Sequence, residues 1–283
     1  MRSKLFVPGV RPELFAKALA SEADALSFDL EDSVPEDRKA QARANVVSFL
    51  ATPAVRATAK TIVVRTNALA TPHCIADIEA LASAGVGLFN LPKVESRDEA
   101  LAAVELLQRS EAQSGTAATT RLLLTIETPG GLRNAAGIAA AHPRVAGLQL
   151  GLGDLFEPFG IDRRDRANVH AVMHAVRMAA AEAGIFACDG AFGDLEDADG
   201  FVAEARMARR LGYAGKSCIH PRQLGLANQV FQPTDEEVAT ARRIVAAART
   251  AAADGRGAFV VDGRMIDAPF LKRAEAIIAA AAR

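Results

Sequence analysis

Eight short apolar runs, each followed by a longer Ala-rich helical pattern, predict an α/β protein: a (β/α)8 TIM barrel with a C-terminal helical extension. Three observations carry this. Strict alternation of strand and helix makes the sheet parallel, because a parallel neighbour needs a crossover of a dozen or more residues. The count of eight predicts closure. The chain, at 283 residues, exceeds the roughly 250 such a barrel uses, and the surplus lies at the C-terminal end. The rival is an open doubly wound sheet, which usually opens on a Gly-rich dinucleotide turn; here the first strand runs into VPGVRP, which is not GxGxxG.

The first run covers 4–8, and the helical pattern 11–22 follows it. The second, 25–31, alternates: Leu26, Phe28 and Leu30 share one face, Ser27, Asp29 and Glu31 the other. Its helix, 35–50, opens on the charged stretch EDRK at 36–39, a solvated face. The third, 61–67, sets Val63, Arg65 and Asn67 opposite Ile62 and Val64, and the helix 73–84 stops at Gly85. The fourth, 86–92, leads to a helix over 96–113 that starts on Ser96. In the fifth, 121–128, Thr125 and Glu127 oppose Leu124 and Ile126; a helix over 129–140 follows.

The sixth run, 146–151, precedes GLGDLF, whose two glycines lack the third of a dinucleotide fingerprint and read as a flexible turn. The helix 163–183 stops at Gly184 and carries His170 and His174 four residues apart; without the glutamate of HExxH they read as surface residues. In the seventh run, 185–189, Asp189 opposes Cys188, and a helix over 194–211 starts at Asp194. The eighth, 215–220, ends at His220, which either touches substrate or organises its loop, and the helix 221–228 closes the repeat. Ser217 and Cys218 have no partners for a nucleophilic triad. Beyond these lie a helix over 234–253 capped by Thr234, the link DGRG at 254–257, a strand-like FVVDG at 259–263, the segment MIDAP and a last helix through Arg283. The organisation is a catalytic barrel over 1–230 and an extension over 231–283, which a closed barrel does not need and which is expected to pack on a neighbouring subunit.

Composition excludes several classes of function. Lys and Arg number 33 against 34 Asp and Glu, a net charge of −1, too balanced for a protein that grips nucleic acid or an anionic membrane surface. No apolar run reaches the ~18 residues of a membrane span, and the N-terminus does not read as a signal peptide. Three distant cysteines, Cys74, Cys188 and Cys218, make neither a disulfide framework nor a zinc knuckle, so a reducing, cytoplasmic setting is expected.

The apolar strand faces must meet the helices, so the polar faces line the barrel near its C-terminal mouth. Burying Asp, Glu and Arg costs several kcal/mol per ion unless each is paired or bound to metal. Charges from several strands at that end read as an active site, with internal salt bridges between strands as the alternative. Glu127 and Asp154 follow neighbouring strands, so two carboxylates lie side by side; alone they would repel and one would take a proton. A divalent cation with a preference for oxygen, such as Mg2+, resolves this while keeping positions for water and substrate.

The segments KLFVPGVRPE, SFDLEDSVPEDRKAQAR, VVRTN, NLPKVES, TIETPGG, GLGDL, GYAGKSCIHPRQ and VDGRMIDAP occur in that order over nearly the whole chain. Together they resemble the citrate lyase β-subunit (citryl-CoA lyase) family, within the larger group that includes malyl-CoA lyases and hydroxy-oxo-acid aldolases. The resemblance implies a (β/α)8 barrel, Mg2+ dependence and cleavage of a 3-hydroxyacyl thioester. It implies metal ligation by Glu127 of the IET motif and Asp154 of the GxxDL motif, and substrate binding by Arg65 of the VRxN motif. It implies that Asp267 of the MID motif acts from a neighbouring subunit, and that the assembly is a homotrimer. The chain departs from the family at Val10 and Thr66, where Asn and Val are frequent, and it lacks the His that follows the second strand in the aldolase branch.

The function this implies is a Mg2+-dependent carbon–carbon lyase that splits a citryl-CoA, malyl-CoA or citramalyl-CoA type thioester into an oxo acid and an acyl-CoA by retro-Claisen chemistry. The alternatives are a malate or citramalate synthase, a malyl-CoA thioesterase, and a β-subunit of a citrate lyase complex working on an acyl-carrier-protein thioester. Arg65 would meet the enolate or a carboxylate, Asp267 would move the proton, and Asp29 and Glu31, outside the ligand pair, would orient metal-bound water. Among basic residues, Arg2 and Lys93 are the candidates to touch CoA.

Overall fold

The computed structural model describes residues 1–116 and 119–282; Arg283, the expected end of the last helix, lies outside the described residues. Eight parallel strands form one sheet: β1 Ser3–Pro8, β2 Ala25–Asp29, β3 Thr61–Arg65, β4 Leu88–Leu91, β5 Arg121–Ile126, β6 Val145–Leu150, β7 Phe186–Cys188 and β8 Lys216–Cys218. Their order is β7-β6-β5-β4-β3-β2-β1-β8. Between β7 and β8 the ring is joined by a parallel bridge at Asp189 and Lys216, where Asp189 N–H donates to Gly215 O (2.8 Å) and Ser217 N–H to Asp189 O (3.0 Å). The architecture is therefore the α/β barrel that the alternation predicts.

Burial follows the period of two. Leu26, Phe28, Leu30, Ile62, Val64, Leu122, Leu124, Ile126, Leu148 and Leu150 are buried in one cluster with apolar side chains of the surrounding helices. Fully burying side chains of this size stabilises by about 1.5–3 kcal/mol each. Inside the ring a smaller plug of Ala25, Val63, Leu88, Leu123 and Ala146 fills the N-terminal end. Above it comes a polar layer in which Lys4 Nζ donates to Gln149 Oε1 (2.7 Å) and Thr125 Oγ1 to Asn90 Oδ1 (2.8 Å). The strands alternate because this barrel puts polar groups, not more Val and Ile, on its inner face.

Helix boundaries differ from the sequence reading where side chains cap in unexpected places. Ser96 accepts from Glu99 N–H at the start of the helix Arg97–Ser114. The start expected at Asp194 lies three residues later: Asp197 caps Ala198–Leu211, while Asp194 accepts from the N–H groups of Glu196 and Asp197 in the preceding turn. The pattern over 11–22 forms only a 3-10 turn, Pro12–Leu14, and a short helix, Phe15–Leu19. The pattern over 129–140 breaks at Asn134 into Pro129–Arg133 and Ala135–Ala139.

The chain divides into two compact units, Met1–Phe231 and Gln232–Arg283. Within the second, the helix Asp235–Ala253 begins with a reciprocal capping box between Thr234 and Glu237. The strand-like FVVDG is one arm of an antiparallel hairpin, β9 Phe259–Val261 and β10 Arg264–Ile266. Asp262 and Gly263 turn it with φ of 50° and 78°, the double positive φ that a two-residue hairpin turn requires. The helix Ala268–Ala281 follows. Among the described residues no helix is long and apolar enough to cross a membrane.

Candidate active site

The C-terminal strand ends bring charged side chains from β2 through β6 to one mouth. Arg65, the last residue of β3, donates from Nε to Asp29 Oδ1 and from Nη2 to Asp29 Oδ2, both at 2.7 Å. Its Nη1 donates to Asp32 Oδ2 (3.1 Å) and forms an ion pair with Glu31 Oε2 (2.8 Å). Its guanidinium also stacks over the Phe6 ring, 5.0 Å from the centroid. Asp29 ends β2, and its oxygens additionally accept from the N–H groups of Glu31 and Ser33. Burial alone would push the Asp29 carboxyl up; the adjoining guanidinium outweighs it and holds the group below its usual range. Arg65 itself is raised further, since three carboxylates outweigh its desolvation.

Glu127 lies one residue past β5 and is 5 % exposed. Its Oε1 accepts from Lys93 N–H at 2.8 Å. Burial, then the charges of Glu31 and Asp154, push its carboxyl up to about 7, which records a crowd of like charges. Asp154 sits in the first turn of the short helix Leu152–Phe156 after β6, half-exposed, with Oδ2 3.4 Å from Lys93 Nζ. Gly151 gives Glu127 its room, since a Cβ there would come within 2.4 Å of Glu127 Oε2. Gly131 of the TPGG turn lets that turn lie against the 93–95 segment, as a Cβ would meet Val94 O at 2.6 Å.

Lys93 is the residue whose role the sequence reading missed. It was singled out only as a basic residue for CoA, yet its Nζ donates to Glu31 Oε1 (2.7 Å) and lies 3.5 Å from Asp32 Oδ1 and 3.4 Å from Asp154 Oδ2. Its φ of 55° is left-handed, an unusual state for a side-chain-bearing residue. LPKVE places Lys93 two residues past β4, and nothing in those residue types announces its left-handed backbone. Asp32 and Phe6 joined the site without a sequence signal beyond their motifs.

The other candidates go elsewhere. Arg2 is held by Asp24 at the N-terminal ends of β1 and β2, opposite the mouth. Asp189, expected at the mouth, instead bonds Lys216 Nζ (2.7 Å), which also meets Glu204 Oε1 (2.6 Å) in a fully buried ion cluster behind the strands. His220 Nδ1 accepts from Arg222 N–H and so organises its loop. Asp29 and Glu31 spend their oxygens on Arg65, Lys93 and backbone N–H groups. Asp267 belongs to the second unit, where it precedes the helix Ala268–Ala281 without capping it; its Oδ1 is buried with no hydrogen-bond partner among the described residues. A cavity of about 630 Å3 beside the loops after β6 and β7, lined by Arg163, Phe192 and Asp194, contains none of the mouth residues named above.

The donors fit a hard divalent cation. Glu127 and Asp154 offer oxygen only, their negative charges are crowded, and the Lys93 ammonium already lies beside Asp154 as a stand-in cation. Among the described residues no three His, Cys, Asp or Glu side chains gather as a complete metal cage.

One family model and three known proteins are similar to this chain. A family model, HpcH/HpaI aldolase/citrate lyase, matches residues 2–221. An L-malyl-CoA/beta-methylmalyl-CoA lyase of Cereibacter sphaeroides is 37 % identical over 98 % of this chain and 93 % of its own. The citrate lyase subunit beta of Escherichia coli is 36 % identical over 99 % and 93 %. A Mycobacterium tuberculosis protein, CitE, solved in complex with magnesium, acetoacetate and coenzyme A, superposes with a TM-score of 0.77 at 34 % identity over the whole of both chains.

Proposed function

The chain belongs to the HpcH/HpaI aldolase/citrate lyase family, and on that premise we propose that it is a Mg2+-dependent carbon–carbon lyase of 3-hydroxyacyl-CoA thioesters. The observation that carries the reading is the pair Glu127 and Asp154 beside an anchored Arg65 at one end of the barrel. Relatives named as lyases over almost the entire chain support the thioester class, and the magnesium and coenzyme A held by the CitE neighbour support the cofactor.

In this reading Glu127 and Asp154 hold the ion. A bound Mg2+ supplies Lewis acidity, polarising the substrate oxygen that becomes the keto group. Three of the five N–H donors of Arg65 are spent on Asp29 and Asp32, and a further one faces Glu31. The guanidinium is thereby fixed in direction, with donor capacity left for the thioester oxygen. A base takes the hydroxyl proton, the bond between the hydroxyl carbon and the carbon next to the thioester breaks, and its electron pair enters the thioester. Arg65 stabilises the enolate oxygen so formed, and a proton returned to the carbon completes the acyl-CoA. Asp267 from a neighbouring copy of the chain is our base, in a homotrimer. Its unpartnered buried oxygen supports a poised role, and exposed Val260, Met265 and Phe270 on the same unit support its burial against another copy.

The test is incubation of the purified chain with citryl-CoA, L-malyl-CoA and citramalyl-CoA, with Mg2+ or with EDTA. Equal amounts of oxo acid and acyl-CoA, formed only with Mg2+, are expected from at least one thioester. Release of free CoA and the intact hydroxy acid would identify a thioesterase and overturn the lyase reading.

A further inference from the structure

Five carboxyl groups, those of Asp29, Glu31, Asp32, Glu127 and Asp154, converge at the mouth against two cations, Arg65 and Lys93. If all are ionised, a formal excess of three negative charges remains. Arg65 is committed to one side by its fork on Asp29. Lys93 is different: its ammonium reaches toward three carboxylates at once, donating to Glu31 and lying near Asp32 and Asp154, and its side chain is 39 % exposed. A flexible four-carbon stem carrying a compact charge can leave such a place without moving the backbone.

The backbone beneath it is the second observation. Lys93 holds a left-handed conformation, φ 55°, which is strained for a residue with a Cβ. That conformation points its N–H at Glu127 Oε1 (2.8 Å). One residue thus ties its amide to one proposed metal ligand and its ammonium to the other. Strain of this kind persists where the surroundings fix it and collects at working sites.

We infer that Lys93 is a built-in surrogate cation: its ammonium neutralises the carboxylates when the metal is absent, competes with the divalent ion for Asp154, and swings out when that ion binds. The inference rests on the metal reading above and deepens it. Lys93 is a positioning residue in this account, since its amide keeps Glu127 aimed in both states while its side chain changes place. The exchange of a single charge for a double one changes the formal excess at the mouth only from three negative charges to two, so the carboxylates keep a counter-charge with or without metal.

The experiment uses the intact chain, titrated with Mg2+ alone by calorimetry, for wild type, Lys93→Met, Lys93→Gly and Lys93→Arg. Removing the competitor should tighten Mg2+ binding by about tenfold or more in Lys93→Met, and Lys93→Arg should stay within a few-fold of wild type. Lys93→Gly keeps the left-handed backbone without strain and should also tighten, so a misfolded Met variant does not end the test. A second readout is acetylation of lysines by acetic anhydride, read by mass spectrometry. Labelling of Lys93 should rise several-fold with saturating Mg2+, while Lys60, whose Nζ is held by the carbonyls of Ser21 and Ala23, stays constant. Unchanged or weaker Mg2+ binding in both folded variants, or Lys93 labelling indifferent to Mg2+, overturns the inference and leaves the metal reading standing. A wild type that binds no Mg2+, or a Glu127→Gln variant that binds it equally well, overturns the metal reading and this inference with it.

Discussion

Arg65 and Asp29 meet through two parallel hydrogen bonds, Nε to Oδ1 and Nη2 to Oδ2, each 2.7 Å long, with the carboxylate 3 % and the guanidinium 15 % exposed. A bidentate fork fixes direction as well as distance, which one ammonium cannot do. Arg65→Lys should therefore keep the fold and lower kcat/KM by about 10²–10³, the loss typical of one transition-state donor. Steady-state kinetics on the best thioester, with circular dichroism as the folding control, decides it. A lysine variant at wild-type efficiency would remove the fork from the mechanism.

Gly151 sits where a methyl group would overlap the side chain of Glu127, 2.4 Å from Oε2 and 2.5 Å from Cβ, while its φ of −123° suits any residue. Gly151→Ala should press on both the carboxylate and the Cβ of Glu127, so the strand end has to give as well. Mg2+ affinity should fall at least about tenfold and stability by about 1–3 kcal/mol, the usual cost of overpacking; an unaltered Mg2+ isotherm would show that the carboxylate has other room.

Protonation of Glu127 sets a pH dependence. Its carboxyl titrates at about 7 in the folded chain against 4.5 ordinarily, from burial first and from Glu31 and Asp154 next. The folded chain then keeps a proton that the unfolded chain has lost, so this group favours folding most below pH 4.5, and the benefit disappears as pH rises through 7. The full swing is about 3 kcal/mol. In EDTA, the Tm of wild type should drop relative to Glu127→Gln between pH 5 and 8, whereas Mg2+ affinity should climb over the same window because the ion needs the carboxylate. Parallel Tm curves for the two proteins would contradict this.

Asp267→Asn should leave Mg2+ binding intact and lower turnover by about 10²–10⁴, the range for one proton-transfer group. Paired calorimetry and kinetics separate the two effects. Undiminished turnover would assign the proton to another residue.

Lys216 is fully buried between Asp189 and Glu204. Burial works against its charge, but the two carboxylates outweigh it and raise the ammonium. Lys216→Met leaves Asp189 buried without its counter-charge while Glu204 keeps Arg163 (2.7 Å), and urea unfolding should show a loss of about 3–5 kcal/mol. A loss under 1 kcal/mol would mean Asp189 neutralises itself.

Much of this was legible in the chain. The alternation in SFDLE, VVRTN and TIE sets Asp29, Glu31, Arg65 and Glu127 on polar strand faces by period two alone, and the structure brings these four side chains to the mouth. Asp189 alternates with Cys188 as expected, but it shares the outward face of Ala187 and meets Lys216 there, while Phe186 on the opposite face packs on the inner plug; a strand of three residues does not announce which of its faces turns inward. Lys93 could not be read as a site residue because its reach depends on one left-handed dihedral, which composition does not announce. The hairpin at Asp262 and Gly263 carries the strongest short turn signal, DG between apolar runs, but its second arm, Arg264–Ile266, is three residues long and opens on a charge, so the sequence announces only the first arm as a strand.

The joint between β7 and β8 has a further consequence. Each of these strands contributes three residues, and one bridge at Asp189 links them, whereas β2 through β6 form an unbroken arc that carries Asp29, Arg65, Glu127 and the turn bearing Asp154. Thermal breathing of the cylinder should start where the hoop is thinnest, and amide protons near 189 and 217 should exchange with deuterium before those of β3 and β5. Such parting leaves the reacting groups on the intact arc, so the vessel can loosen along one side without scattering its contents.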